Sequence, residues 1–502
     1  MSALHVAPVT LLDLVRPIPA EQTAVILPER NIRITYGRLR NQVEALAEAL
    51  AASGIGRGDR VRIVLPNGLP MIVSFLAASV AGTAAPLNPT YKEDEFRFYL
   101  DDLRAAALLT FSGESPAARV AAPEATIAVD VAGRELSIDF VAHSVQRQEV
   151  TTARPTADDE ALVLHTSGTT SRPKIVPLRQ RNLHASALSI AAGLRLTTSD
   201  RSLNAMPLFH IHGIMAGLLA PLSAGGSVVC TPGFDAFKFH RWIDELCPTY
   251  YSAVPTMHQM VLARAPEPRS TTLRFVRSSS ASLPGAVLDG LHALFGVPVI
   301  EAYGMTEASH QMTCNPLPPR AAKAGSVGLP TGIEVAILDG KNNVLSSGQR
   351  GEVAIKGPTV VDAYENNPSA NESAFTAGWF RTGDEGMLDT DGYLFLTGRL
   401  KEQINRGGEK ISPIEVDDVL LRHPAVAEAV TFAIPHDKLG EEVGAAVVLT
   451  EGCTATEAEL RAFVSEQLAA FKVPRRIVFV NELPKGSTGK VQRIGMAHKL
   501  EL

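Results

Sequence analysis

Three short, largely apolar runs, residues 61–65, 161–165 and 297–301, alternate along the first part of the chain with stretches of helical spacing at 36–53, 71–81 and 285–295. A run with no polar face cannot turn one side to water, so each must lie in a sheet covered on both sides, with the intervening helices as the cover. The alternation predicts an α/β fold with parallel sheets.

After about Gly328 the texture changes. Residues 334–338, 351–356 and 393–397 read as short strands divided by Gly and Asp-Gly turns, which predicts a β-rich subdomain. Beyond Gly398-Arg399-Leu400-Lys401 the order is helix (414–422), strands (426–434 and 442–449), helix (457–468) and strand (476–480). That order predicts a small α+β unit. The expected organisation is a large N-terminal domain, residues 1–398, of layered α/β subdomains plus the β-rich subdomain, followed by a C-terminal domain, residues 399–502.

A chain of 502 residues that is 45% hydrophobic is too long for one core and apolar enough for at least two. Its 47 basic and 53 acidic residues are interspersed and leave a net charge of -6. With no basic stripe to track a phosphodiester backbone, DNA and RNA are not expected as partners. Neither an internal repeat nor a low-complexity tract is visible, which argues against a solenoid or a disordered scaffold.

Cys230, Cys247, Cys314 and Cys453 show no C-x-x-C spacing, and Met1 to Ala20 has no basic region leading into a long apolar run. A reduced, cytoplasmic protein is therefore expected. The most apolar window, residues 71–86, is broken by Ser74, Ser79 and Gly82 and falls short of the ~20 residues of a membrane span, so it is read as a buried helix. Lys499-Leu500-Glu501-Leu502 resembles a retention tail, but without a secretory leader chance explains it better.

The densest chemistry lies in Leu164-His165-Thr166-Ser167-Gly168-Thr169-Thr170-Ser171-Arg172-Pro173-Lys174. Backbone N–H groups, short hydroxyls and a lysine in such a loop can surround a polyphosphate, which needs many close donors and no bulky side chains. It is not a Walker loop. Gly486-Ser487-Thr488-Gly489-Lys490 also lacks the first glycine at the required spacing, and Gly54-Ile55-Gly56 has Asp59 where the dinucleotide fingerprint needs its third glycine.

Taken together and in order, residues 166–174, Glu301-Ala302-Tyr303-Gly304-Met305-Thr306-Glu307, Trp379-Phe380-Arg381-Thr382-Gly383-Asp384, Gly398-Arg399-Leu400-Lys401 and Pro484-Lys485-Gly486-Ser487-Thr488-Gly489-Lys490 resemble the adenylate-forming superfamily. That superfamily holds acyl-CoA synthetases, luciferases and the adenylation domains of peptide synthetases. The resemblance runs from about Thr35 to the C-terminus. It implies an AMP-forming acid–thiol ligase that uses ATP, Mg²⁺ and coenzyme A, with a small mobile C-terminal domain.

The same resemblance assigns roles. Lys490 would steady the approach of the carboxylate to the α-phosphate. Glu307 with Thr166 would hold Mg²⁺, Thr306 would donate to the α-phosphate, and Ser167, Gly168, Thr169, Thr170 and Lys174 would line the phosphates. Ala302, Tyr303 and Gly304 would border the adenine, while Asp384 and Arg399 would serve the ribose. Lys401 would be the hinge, and rotation there would withdraw Lys490 and bring Gly407 and Gly408 to the pantetheine arm. On their own, Lys490 reads as a solvated lysine, Thr306-Glu307 as a helix start, and Gly383-Asp384 and Arg406-Gly407-Gly408 as turns; their shared order outweighs those readings. Ser171 and Ile175 stand where many members have glycine, which predicts a stiffer loop.

Pro207-Leu208-Phe209-His210-Ile211-His212-Gly213 resembles the acyl-site motif of CoA ligases, which puts His210 near the carboxylate. H-x-H also fits a metal, but no third ligand has convincing spacing. The wording of residues 165–174, of Arg277-Ser278-Ser279-Ser280-Ala281-Ser282-Leu283, of Thr306-Glu307-Ala308-Ser309-His310 and of residues 404–416 is similar to the oxalate-CoA ligases of plants, fungi and bacteria. A small dianion needs hydroxyl, imidazole or cationic donors where a fatty-acyl tunnel is apolar, so His212, Arg277, Ser280 and His310 are the candidate acid-binding residues. Three alternatives stay open: a ligase for another short or aryl acid such as malonate or a coumarate-like acid, an enzyme loading a carrier protein, and a nucleotide-binding scaffold without turnover.

Overall fold

The computed structural model describes residues 10–29, 32–111, 115–122, 127–132, 139–143, 154–166, 173–265, 268, 270–484, 491 and 493–502. Among them the strands form four sheets, of nine, seven, five and five strands.

In the seven-stranded sheet, Arg60–Ile63 runs parallel between Thr83–Pro86 and Ala107–Thr110. The helix Leu69–Ala81 is buried at every position, so it is apolar all round and lies inside the domain, packed on the helix Tyr36–Ala52 and on the strand Glu160–His165. Tyr36–Ala52 begins where the Thr35 hydroxyl accepts from the Arg38 N–H at 3.3 Å, and it buries Leu39, Val43, Leu46 and Leu50 along one stripe. Among the described residues no helix is long and apolar enough to cross a membrane.

The nine-stranded sheet positions the site. Its parallel strands Arg201–Asn204, Tyr250–Ala253, Phe275–Ser279 and Val299–Met305 end on one side, and His310–Cys314 returns antiparallel beside the last of them. Such strand ends are where ligands settle in open α/β sheets. The expected strand at 297–301 starts later and runs on to Met305. Pro298 offers its carbonyl to the Val276 N–H at 2.9 Å but has no N–H of its own, so the ladder opens at Val299.

Glu334–Leu338, Gly351–Lys356, Phe375–Thr376, Trp379–Leu388 and Leu394–Arg399 form the first five-stranded sheet, antiparallel throughout. Arg399 is its last residue, and Ile404 opens the sheet that follows. That sheet, Ile404–Arg406, Glu409–Ile411, Val426–His436, Gly440–Leu449 and Arg476–Phe479, is covered by the helices Pro413–Leu420 and Glu457–Ser465 around a core of its own that includes Val416, Leu420, Val443 and Leu460. The turn between the sheets is tied to the smaller unit: Arg493 bridges Glu402 at 3.4 Å and Asp417 at 2.6 Å. A helix of that unit reaches back, the Ser412 hydroxyl donating to the Thr397 carbonyl.

Candidate active site

The strand Val299–Met305 brings Ala302, Tyr303 and Gly304 to the sheet end, and the tight turn Thr306–Ala308 folds the chain back into His310–Cys314. Gly304 has a steric reason to be glycine, since a Cβ there would lie 1.9 Å from the His310 carbonyl oxygen. One hairpin thus carries candidates from both ends of the site, Thr306 and Glu307 for the phosphates and His310 for the acid.

Tyr303 donates its hydroxyl to Oδ2 of Asp384, which is 6% exposed. Arg399 Nε sits 3.0 Å from the other carboxylate oxygen. Asp384 and Arg399 face each other across neighbouring antiparallel strands, so the ion pair follows from the register. Burial and then the Asp384 charge push the Tyr303 hydroxyl well above its ordinary range, and Asp384 first of all raises the Arg399 guanidinium. A planar ring, a carboxylate and a cation are therefore held together by fixed contacts.

The strand pair Glu160–His165 and Ile175–Arg179 leads into the hydroxyl-rich loop. Its base is closed by the Thr166 N–H donating to the Lys174 carbonyl at 2.9 Å and by the Lys174 N–H donating to the Thr166 hydroxyl at 3.3 Å. Ser167, Gly168, Thr169 and Thr170 lie outside the described residues, as does Lys490. Lys174 Nζ stands 4.3 Å from the centre of the Tyr364 ring. Burial lowers its pKa, the Glu307 carboxylate opposes that, and the Lys401 charge adds to it, so these three groups share one local field.

Glu307 is 6% exposed and accepts the Tyr364 hydroxyl on Oε1 at 2.7 Å, while its other oxygen takes no hydrogen bond among the described residues. A single fixed carboxylate with an oxygen to spare fits Mg²⁺, which usually takes one or two protein oxygens and fills its other positions with phosphate and water.

Among the candidates for the acid, Arg277, fully buried on Phe275–Ser279, reaches two imidazoles: Nη2 lies 3.2 Å from His310 Nε2 and Nη1 lies 3.4 Å from His212 Nε2. Arg277 also donates to the Ser252 hydroxyl at 2.7 Å and to Gln311 Oε1 at 2.9 Å. The rings of His212 and His310 stack with centres 4.8 Å apart and planes 22° apart. His212 Nδ1 is 3.1 Å from the hydroxyl of Ser280, a half-buried residue at φ +76°. All four acid-site candidates therefore meet in one cluster. Ser252 and Gln311 were not singled out in the sequence. Gln311 directly follows the motif that ends at His310, whereas Ser252 has no motif beside it and only the parallel register of Ser252 with Arg277 places it there.

His210 is half-buried, and its Nδ1 accepts the His212 N–H at 3.3 Å. Gly213 closes that motif sterically, because a Cβ there would lie 2.2 Å from the Pro207 carbonyl oxygen. Gly407 and Gly408 belong to the sheet of the smaller unit. With φ values of +60° and +96° they form the two-residue turn between Ile404–Arg406 and Glu409–Ile411, and the Gly407 N–H donates to the Leu439 carbonyl at 2.9 Å.

The chain as a whole has relatives among known proteins. The AMP-binding enzyme family matches residues 17–365, and the AMP-binding enzyme C-terminal domain matches residues 415–490. The chain belongs to this family. It is 47% identical to the oxalate–CoA ligase of Arabidopsis thaliana, over 93% of this chain and 94% of that one, and 42% identical to the oxalate–CoA ligase of Saccharomyces cerevisiae, over 94% of each. Among solved structures, ATP-bound MatB from Rhodopseudomonas palustris superposes with a TM-score of 0.89 at 28% identity, over 99% of both chains.

Proposed function

We propose that this enzyme converts oxalate to oxalyl-CoA. The chain is an AMP-forming acid–CoA ligase, and its reaction has two steps. A carboxylate oxygen first attacks the α-phosphorus of ATP, giving an acyl-AMP anhydride and releasing pyrophosphate. The CoA thiolate then attacks the activated carbonyl carbon, and AMP leaves with the carboxylate oxygen now bonded to phosphorus.

The observation that supports oxalate is the largely buried cluster of Arg277, His212, His310 and Ser280, a cationic and hydrogen-bonding group of side chains against which an alkyl chain offers neither negative charge nor an acceptor. The names of the two oxalate–CoA ligases above point the same way. In this reading Tyr303 lies against the adenine with Ala302 and Gly304 beside it, Asp384 and Arg399 take the ribose, and Lys174 with residues 166–170 takes the phosphates. Glu307 and Thr166 would hold Mg²⁺, which offsets the triphosphate charge, and Thr306 donates to the α-phosphate. His210 stands at the reacting carboxylate. The division at 398/399 separates a body that binds ATP and acid from a C-terminal domain that turns about Lys401 to present first Lys490 and then the Gly407-Gly408 turn.

A reducing, cytoplasmic setting is part of the proposal, supported by Cys230, Cys247, Cys314 and Cys453, all free thiols. The test is an acid panel in ATP–pyrophosphate exchange and CoA-dependent AMP release, with oxalate, malonate, a coumarate-like acid and hexanoate. Oxalate should give the highest kcat/KM. Hexanoate ahead of oxalate would remove the assignment, and exchange without CoA-dependent AMP release would point to a carrier protein as acceptor.

A further inference from the structure

We propose that Arg277 is a positioning residue for the acid, acting through His212 and His310 rather than by touching the substrate, and that it thereby sets the preference for a dianion. The inference rests on the oxalate reading of the same pocket.

The argument begins with a missing counter-ion. Arg277 is fully buried, and among the described residues no carboxylate pairs with it. Its Nε meets no oxygen or nitrogen acceptor, and the Cys314 thiol is at most a weak partner for the guanidinium. The titratable neighbours are Cys314 and Tyr250, both pushed above their ordinary ranges by burial and so neutral, together with the two imidazoles. A guanidinium removed from water without negative charge nearby is costly, so its retention calls for an anion that arrives later.

Hydrogen-bond direction then fixes the imidazoles. A guanidinium can only donate. His310 Nε2, 3.2 Å from Arg277 Nη2, must therefore accept, which puts the His310 proton on Nδ1. The Ser252 hydroxyl accepts from Arg277 Nη1 at 2.7 Å and has its own proton to give to His212 Nε2, also at 2.7 Å. His212 is then likewise an Nδ1–H tautomer, and it donates to the Ser280 oxygen at 3.1 Å. An imidazolium at either position would set a second buried positive charge against the first.

The bonds from Arg277 to Ser252 and His310, and those that lead on from Ser252 to His212 and Ser280, are thus polarised away from Arg277. The chain Arg277, Ser252, His212, Ser280 ends on a half-buried hydroxyl whose proton has no obligation inward. Ser280 holds a left-handed backbone conformation, the kind of strain kept where a side chain has to be aimed. A second carboxylate seated on those donors would supply the negative charge Arg277 lacks, and a monocarboxylate would not. Charge-assisted chains of this kind are stronger than their neutral counterparts.

The test is steady-state kinetics on the full-length enzyme carrying Arg277→Met, Arg277→Lys or Ser252→Ala. Methionine fills the volume, and replacing a buried charge by an apolar side chain of similar size is often tolerated. Arg277→Met should raise KM for oxalate by about 10–100-fold, the scale of one charge-assisted hydrogen bond, with KM for ATP and kcat held within about two-fold. Arg277→Lys should recover part of the loss. Ser252→Ala cuts the path to His212 without touching the charge, and should raise oxalate KM by about five-fold or more.

Wild-type enzyme that turns over oxalate while Arg277→Met keeps its oxalate KM overturns this inference alone. So does an Arg277→Met enzyme whose kcat and KM for ATP and oxalate all fail together. If Arg277→Met does not fold, Ser252→Ala decides, and an unchanged oxalate KM overturns the inference. Wild-type enzyme that ignores oxalate removes the functional reading as well.

Discussion

Tyr364 donates its hydroxyl to Oε1 of Glu307 at 2.7 Å, and the face of the same ring carries the Lys174 ammonium 4.3 Å from its centre. One side chain therefore spaces the acidic and the basic groups of the proposed phosphate site. Without it the two charges could close into a direct ion pair and withdraw both from a nucleotide.

Tyr364→Phe keeps the ring and removes the hydrogen bond. Adenylation should slow by about 5–30-fold, as expected for one hydrogen bond to a charged group, and the Mg²⁺ concentration for half-maximal rate should rise. Pyrophosphate exchange across a Mg²⁺ titration measures both. Thioester formation from supplied acyl-AMP should change little; an equal fall in both half-reactions would mean that Tyr364 supports the fold and not the phosphate site.

Asp384→Asn removes the charge that faces Arg399 Nε and accepts the Tyr303 hydroxyl. An amide can still accept from Tyr303 through its oxygen, but it no longer offers two anionic oxygens to a ribose. KM for ATP should rise by about 10–100-fold while KM for the acid stays near its original value. Parallel loss of acid affinity would place Asp384 in a wider structural network.

Lys490 tests the division of labour between the half-reactions. Lys490→Ala should slow adenylation by about 10²–10³-fold, the scale of one preorganised electrostatic contact, and should largely spare thioester formation from supplied acyl-AMP. Rapid-quench assays of each step separate the two. Equal loss in both would contradict a C-terminal domain that presents different residues to each step.

The sequence was most legible where one element carries its own signal. Helix Gly285–Phe295 and strands Glu334–Leu338 and Gly351–Lys356 fall where periodicity and turn residues put them. Candidate residues inside motifs, such as Tyr303, Glu307 and Asp384, could also be picked out, and the structure gives each a buried or hydrogen-bonded place. What could not be read is what the three-dimensional register supplies. Tyr364 is 57 residues from Glu307, and Ser252 is 25 residues from Arg277. Each lies in an unremarkable local sequence and joins the site only because parallel strands or a returning loop bring it there. The isolation of Arg277 was equally hidden, since residue type says nothing about a missing counter-ion.

Glu301 carries the last prediction. It lies on Val299–Met305, accepts the Leu283 N–H at 3.3 Å, and is pushed up to about 7 by burial, with the Asp418 carboxylate of helix Pro413–Leu420 adding to the effect. Burial likewise pushes Asp418 up to about 6. A free glutamate titrates at about 4.3, so from there to about pH 7 the folded protein binds more protons than the unfolded chain. Stability from this group is therefore fully present at the acid end of that window and is lost as pH rises through it. Glutamine mimics the protonated acid. Glu301→Gln should thus be more stable than wild type by about 1–3 kcal/mol near pH 8, and the two should converge towards about pH 4.5. Because Glu301 sits in the large body and Asp418 in the smaller unit, Asp418→Asn should act in the same direction, and the two gains should add to less than their sum through the shared repulsion. Urea melts of both single variants and the double variant at the two pH values measure this, and a Glu301→Gln protein destabilised equally at both would contradict a buried, proton-holding carboxyl.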